Sequence, residues 1–294
     1  MQSIQRWERP PDDWAKPLEG FIGLDPPVKT FWTRGQHELQ QLGPRVAVVG
    51  SRSPTSYGRD QAQRFAGALA RAGCVVVSGL ARGVDGIAHE AVLDEGAPTI
   101  AVLGCGVDQP WPVGQLTERM AREGLLLSEF GPGISPRRHH FPMRNRIIAA
   151  LCDATLVIEA AHRSGSLITA RWAADLGRAV FVVPQAVDHP LGLGALRLLR
   201  EGATAVGSPG QLLTDLESLR GTSRAGGEWG EHVGDMDPIL RALEGDALSV
   251  ESLSSRVNQP VLEISTRLVD LELDGRVRRI PGGLWVVSAR QQSP

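Results

Sequence analysis

The densest chemistry in the sequence is the run PRRHHFPMRNR at 136–146, with four arginines and two histidines around one phenylalanine, and no acid between Glu129 and Asp153. Such a run is either a solvated charged face or a seat for an anion. It abuts Ile147, Ile148, Ala149, Ala150 and Leu151, which read as the buried side of a helix, so Arg144, Asn145 and Arg146 fall near the helix start. Cations there are repelled by the partial positive charge of the peptide dipoles. A bound anion would offset that repulsion. Phe141, interleaved with Arg138 and Arg144, offers a ring on which an unpaired base can stack, worth on the order of 1–3 kcal/mol per base.

Three other stretches carry related chemistry. GSRSPTSYG (50–58) follows an apolar run, where a dinucleotide fold would have G-x-G-x-x-G; Arg52 stands at the second glycine. A long cation obstructs the usual cofactor pose yet suits a phosphate held beside Ser51, unless it is an ordinary surface arginine in a turn. SGLARGVDGIAH (78–89) has Gly79, Gly83 and Gly86, which let the backbone approach a ligand, with Arg82 in the same loop. Asp85 and His89 are four apart and share a helix face, as a functional pair or as a capped helix with a local ion pair. RSGSLITA (163–170) opens a helix with Ser164, Gly165 and Ser166. Hydroxyls and free N–H groups there make a phosphate cradle or a plain serine cap.

The elements that must position these residues follow from periodicity. Short β-branched runs occur at 46–49, 75–78, 99–103, 125–128, 155–159 and 180–184, alternating with helical patterns such as 58–72, 84–92 and 166–177. Strands apolar throughout, alternating with helices, predict a parallel α/β sheet covered on both faces. Ligands of such sheets sit outside the carboxyl ends of the strands, where all four stretches fall. Residues 1–44 hold scattered Trp and Pro without clear periodicity. The predicted organisation is an N-terminal extension (1–24), a Rossmann-like domain (25–220), a Gly-rich linker (221–235) and three short helices with a hairpin (236–290), the winged-helix pattern.

Bulk properties exclude several classes. The 294 residues carry 31 basic and 33 acidic side chains, net −2, so a nucleic-acid partner needs a local patch. Only Lys16 and Lys29 are lysine, so one arginine alone proves little. Cys74, Cys105 and Cys152 form no CxxC and fall in or beside apolar segments, as buried thiols of a reducing compartment would. No signal peptide or membrane-length apolar run is present, so the reading is a cytoplasmic protein with no membrane partner.

With these stretches in hand, the chain resembles the DNA-processing protein A (DprA/Smf) family through DPPVKTFWTRG, VAVVGSRSPTSYG, VVSGLARGVDGIAHEAV, TIAVLGCGVD, LLLSEF, FPMRNRIIAAL, SGSLITARWAADLGR and VFVVP in order. The resemblance implies an extended Rossmann-like fold binding single-stranded DNA in a basic pocket, homodimerisation through the later part of that domain, and delivery of DNA to the recombinase RecA during natural transformation. By the family's motifs the pocket is Arg52, Arg138, Phe141, Arg144, Asn145, Arg146 and the cradle Ser164–Gly165–Ser166. The chain departs from the family at Gln185 and Leu196, where dimer contacts are expected. A rival reading is a nucleotide-binding or nucleotide-hydrolysing enzyme of the "lonely guy" type, but its glutamate-bearing loop becomes SGSLITARW here. No Walker lysine loop, metal-ligand cluster or G-x-S-x-G elbow is found, so no cofactor, metal or catalytic residue is predicted. In the winged helix, 261–274 sets Glu263, Asp270, Glu272 and Asp274 against Arg267 alone. A major groove would repel such a helix, which points to a protein partner or to regulation of the main domain, with only Arg276, Arg278 and Arg279 of the wing able to touch a DNA backbone.

Overall fold

A computed structural model describes residues 4–7, 24, 26, 28–35, 43–221, 237–243, 247–273, 276–280 and 282–287. All but the first residue of the linker expected at 221–235, most of the extension expected at 1–24, and Asp274 lie outside the described residues.

The chain divides into two units, Met1–Gly207 and Ser208–Pro294. In the first, seven parallel strands alternate with helices as the apolar periodicity demands: β3 (Arg45–Val49), α1 (Ser56–Arg71), β4 (Val75–Ser78), α2 (Val84–Asp94), β5 (Thr99–Val102), α3 (Gln115–Glu123), β6 (Leu125–Ser128), α4 (His140–Leu151), β7 (Ala154–Val157), α5 (Ser166–Asp175), β8 (Ala179–Val182), α6 (Leu193–Arg200) and β9 (Thr204–Ala205). Two strands precede them. β2 (Phe31–Gly35) pairs antiparallel with β6, and β1 (Gln5–Trp7) with β2. The order across the sheet is β1-β2-β6-β5-β4-β3-β7-β8-β9.

Successive residues of a strand face opposite sides, and here both sides are dry. Val49, Val77, Val102 and Leu127 join a core with Ile147, Ile148, Leu151 and Leu198, whereas Ala101, Leu103 and Leu126 pack with Leu93 and Met120. The chain moves from β3 through β6 in one direction, then returns to add β7 on the other side of β3. That reversal opens the carboxyl edge between β3 and β7, where doubly wound sheets bind ligands.

The second unit contains α7 (Pro209–Gly221), α8 (Pro238–Ala242), α9 (Val250–Val257), α10 (Val261–Leu273) and a hairpin of β10 (Val277–Ile280) and β11 (Leu284–Val287). Ile239, Leu253, Ile264, Leu268, Leu271 and Trp285 form a core of their own. This is a winged helix.

Candidate nucleic-acid interface

The carboxyl edge of the sheet is built in two layers, and the sequence-predicted residues divide between them. Beneath the surface, α4 begins at His140, so Arg144 and Arg146 stand in its second turn rather than at its start. Pro142 falls in the first turn, where a missing N–H costs nothing. The start is held by His140, whose Nδ1 lies 3.0 Å from the Gly104 carbonyl and whose ring stacks on Phe130 at 4.0 Å.

Both arginines point inward. Arg146 is 1% exposed; its guanidinium donates to both carboxylate oxygens of Glu129 (2.7 and 2.6 Å), to the Pro26 carbonyl (3.2 and 3.0 Å) and to the Met143 carbonyl (3.0 Å). Arg144 is also buried and donates to the carbonyls of Gly79 (2.7 Å) and Val102, at the ends of β4 and β5. Its Nε donates to Asn145 Oδ1 at 3.0 Å, and Asn145 Nδ2 donates to the Gly165 carbonyl at 3.1 Å. The expectation that a bound anion explains Arg144, Asn145 and Arg146 is therefore corrected: Glu129, Asn145 Oδ1 and backbone carbonyls receive their donors.

Three more predicted residues are buried. Ser51 Oγ accepts the Ser53 amide at 3.1 Å. The Gly79 amide donates to Asp85 Oδ2 at 3.1 Å, and any Cβ at Gly79 would collide with the Arg144 guanidinium. Ser166 Oγ lies 2.7 Å from Ser164 Oγ, which also accepts the Ser166 amide at 3.3 Å, so these serines bond to each other at the start of α5.

Asp85 and His89 do not pair with each other. Asp85 accepts the amides of Gly79 and Ala81, as in the capping reading. Burial raises its pKa, opposed by the Arg144 charge. His89 Nδ1 lies 2.7 Å from Thr99 Oγ1, while Nε2 is buried without a partner. Burial, reinforced by the Arg144 charge, holds its pKa down to about 3. Burial likewise lowers Arg144, to about 10, with Asp85 opposing and Arg52 adding to the fall.

Above this layer lie Arg52, Arg82, Arg137, Arg138 and Arg163, all exposed, with half-buried Phe141 and Ser164 and exposed Gly165. None of these five arginines has a carboxylate partner among the described residues. The Arg52 guanidinium carbon sits 5.8 Å from the centre of the Phe141 ring, within cation–π reach. Two contacts hold the Arg52 loop. Gly83 has φ 86° and packs so closely on the Ser51–Arg52 backbone that no Cβ fits. Fully buried Glu159, just past β7, accepts the Thr55 amide at 2.9 Å and the Thr55 hydroxyl. Sequence reasoning passed over Glu159 and Glu129 because their partners lie 104 and 17 residues away. The exposed layer is a cationic rim with an aromatic ring in it, and such a rim suits a phosphodiester chain with unstacked bases.

Two results follow from the buried layer. Arg146→Ala strands the Glu129 carboxylate and should destabilise the domain by about 3–5 kcal/mol, read as a lower urea midpoint; an unchanged midpoint would contradict the ion-pair assignment. His89 sets a pH trend. Below about pH 6.5 the unfolded chain takes up a proton that folded His89 refuses, so its share of stability falls with pH, by up to about 1.4 kcal/mol per unit. Asp85, whose pKa is raised in the fold, works in the opposite sense. Urea unfolding of His89→Gln between about pH 7 and 5 should therefore fall less steeply than wild type, and parallel slopes would refute the neutral buried ring.

The family model for DNA recombination-mediator protein A matches residues 11–217, and the model for the DprA winged helix domain matches 231–283. Protein Smf of Escherichia coli is 37% identical over 284 residues, 93% of this chain and 75% of its own length. DNA processing protein DprA of Bacillus subtilis is 39% identical over 205 residues, 69% of this chain and 67% of its own. Among solved structures, DNA processing protein A of Streptococcus pneumoniae superposes with TM-score 0.67 at 37% identity, over 73% of this chain and 75% of that one. The Helicobacter pylori protein, whose structure was described for its unique single-stranded DNA binding mode, gives TM-score 0.65 at 30% identity, over 74% and 99%.

Proposed function

The chain belongs to the DNA recombination-mediator protein A (DprA/Smf) family, and from that footing we propose that it is a non-catalytic binder of single-stranded DNA. It protects the strand along the carboxyl edge of its sheet and delivers it to RecA in natural transformation. The observation that carries this reading is the Arg52 guanidinium held over the Phe141 ring on a rim of arginines without carboxylate partners among the described residues. Arg52, Arg82, Arg138, Ser164 and Gly165 grip phosphates, and Phe141 stacks a base. Ser51, Gly79, Arg144, Asn145, Arg146 and Ser166 hold those groups in place from below.

The same geometry disfavours the nucleotide-hydrolysing reading. The carboxylates beneath the rim are engaged: Asp85 with two amides, Glu129 with Arg146, Glu159 with Thr55. A general acid or base needs a carboxyl free to meet its substrate.

A homodimer through the later part of the domain is supported by exposed Ile168 and Leu193, and by a cleft of about 380 Å³ that Ile168 lines with Arg163, Trp172 and Arg197. In the winged helix, α10 exposes Leu262 and Val269 beside Glu263 and Asp270, a surface for protein rather than for a duplex.

Two measurements test this reading. Arg52→Ala and Arg138→Ala should each weaken oligonucleotide binding and reduce the slope of log K against log salt by about 0.7 in fluorescence anisotropy. If neither moves affinity or slope, the rim is not the site. Removing residues 230–294 should leave single-strand affinity nearly intact; a loss beyond roughly tenfold, about 1.4 kcal/mol, would give the winged helix a direct share.

A further inference from the structure

The loop that leaves β5 holds a large aromatic side chain with no role so far. Trp111 is 52% exposed, and close by in sequence Val113 is 80% exposed. Its loop is fixed at both ends. The Gly106 amide donates to the Ile134 carbonyl at 2.8 Å, and Asp108 accepts the Gly133 amide at 3.1 and 2.9 Å. The Ser135 hydroxyl reaches Gln109 at 3.5 Å, and the Thr117 hydroxyl donates to the Pro112 carbonyl. Pro110 and Pro112 flank the indole and fix φ on either side of it. Its N–H has no protein acceptor among the described residues.

A large ring on a fixed loop loses little entropy on meeting a ligand, so its position decides what it can meet. Gly104, at the start of the Trp111 loop, lies so close under Phe141 that an added Cβ would stand 3.1 Å from the ring. The loop that carries Trp111 therefore starts against Phe141. The partner loop 131–135 runs directly into Arg137 and Arg138. From β7 to β6 the rim crosses four strand spacings, roughly 19 Å, and the loops leave the strands in the order Ser164, Arg52, Arg82, Trp111, Arg138. Phe141 reaches back to lie between Arg52 and Gly104, on the β4 side of Trp111.

We propose that Trp111 is a second base-stacking platform, which extends the single-strand path beyond Phe141 toward the β5–β6 end of the rim. The inference rests on the single-strand reading above and adds a direction to it. Arginines on the loop tied to that of the indole favour a nucleic acid with unpaired bases over an apolar protein, which would leave Arg137 and Arg138 to be desolvated without a counter-charge.

Anisotropy with oligothymidylates of roughly 4 and roughly 16 nucleotides tests it on wild type, Trp111→Ala and Trp111→Phe. Trp111→Ala should weaken the long strand about five- to a hundredfold, leave the short one within about twofold, and keep the salt slope, because no charge is lost. Trp111→Phe should restore most of the loss. A parallel measurement needs no variant: ultraviolet crosslinking of wild type to a bromouracil-substituted long strand should mark the peptide that contains Trp111. Long-strand affinity undiminished in Trp111→Ala, as an apolar protein partner there would give, overturns the proposal. So does a crosslink confined to the Phe141 peptide. Folded wild type that binds neither strand overturns the single-strand reading itself, a separate result.

Discussion

The carboxyl edge depends on one buried cation. Arg144 lies under the rim with its donors on the carbonyl of Gly79, just past β4, on that of Val102, the last of β5, and, through Asn145, on the loop that opens α5. Strand ends leave carbonyls that no ladder satisfies, and a buried carbonyl without a donor costs as much as a lost hydrogen bond. A planar guanidinium can serve several of them at fixed angles. Asp85 supplies the charge that lets this cation stay buried, and its own oxygens gather the amides of Gly79 and Ala81. Separate loops thereby become one surface.

This arrangement accounts for what the exposed layer can do. Because the loops are tied from below, Arg52, Arg82 and Arg138 need no carboxylate partners to hold their backbone in place. Their charge stays available. Surface arginines in most proteins are partly neutralised by nearby acids; here Glu129, Glu159 and Asp85, beneath the rim, are bound to Arg146, Thr55 and backbone amides. Burying those carboxylates with partners avoids an uncompensated charge, and it keeps the rim positive in a protein whose net charge is −2.

The parallel sheet was legible because its strands are apolar on both faces and its helices keep a 3.6-residue period. β2 was not, although its burial alternates: the inward positions of FWTRG are Phe31, Thr33 and Gly35, and only the first is a strong apolar signal. In the site, residue types were easier to read than directions. Arg52, Arg138 and Phe141 were picked out from their surroundings in sequence and do share one rim. Arg144 and Arg146 were assigned to the same rim from their charge near a helix start and from the family's motifs. One clue to the contrary was present: Arg144, Ile147, Ile148 and Leu151 follow the i, i+3, i+4, i+7 rule, so Arg144 belongs to the buried stripe of its own helix.

That stripe explains why four arginines within eleven residues serve two purposes. Before the helix begins, Arg137 and Arg138 lie on an exposed segment and face solvent. Six residues later the chain is helical, and rotation of about 100° per residue carries the next cations under the sheet edge. There, an arginine is tolerated only where carbonyls or a carboxylate already wait. Gly79, Val102 and Glu129 meet that condition because they close β4, β5 and β6, three adjacent strands. The basic run is therefore read by the fold at the helix boundary: its first half is surface charge, and its second half is the fastening that lets such charge be displayed.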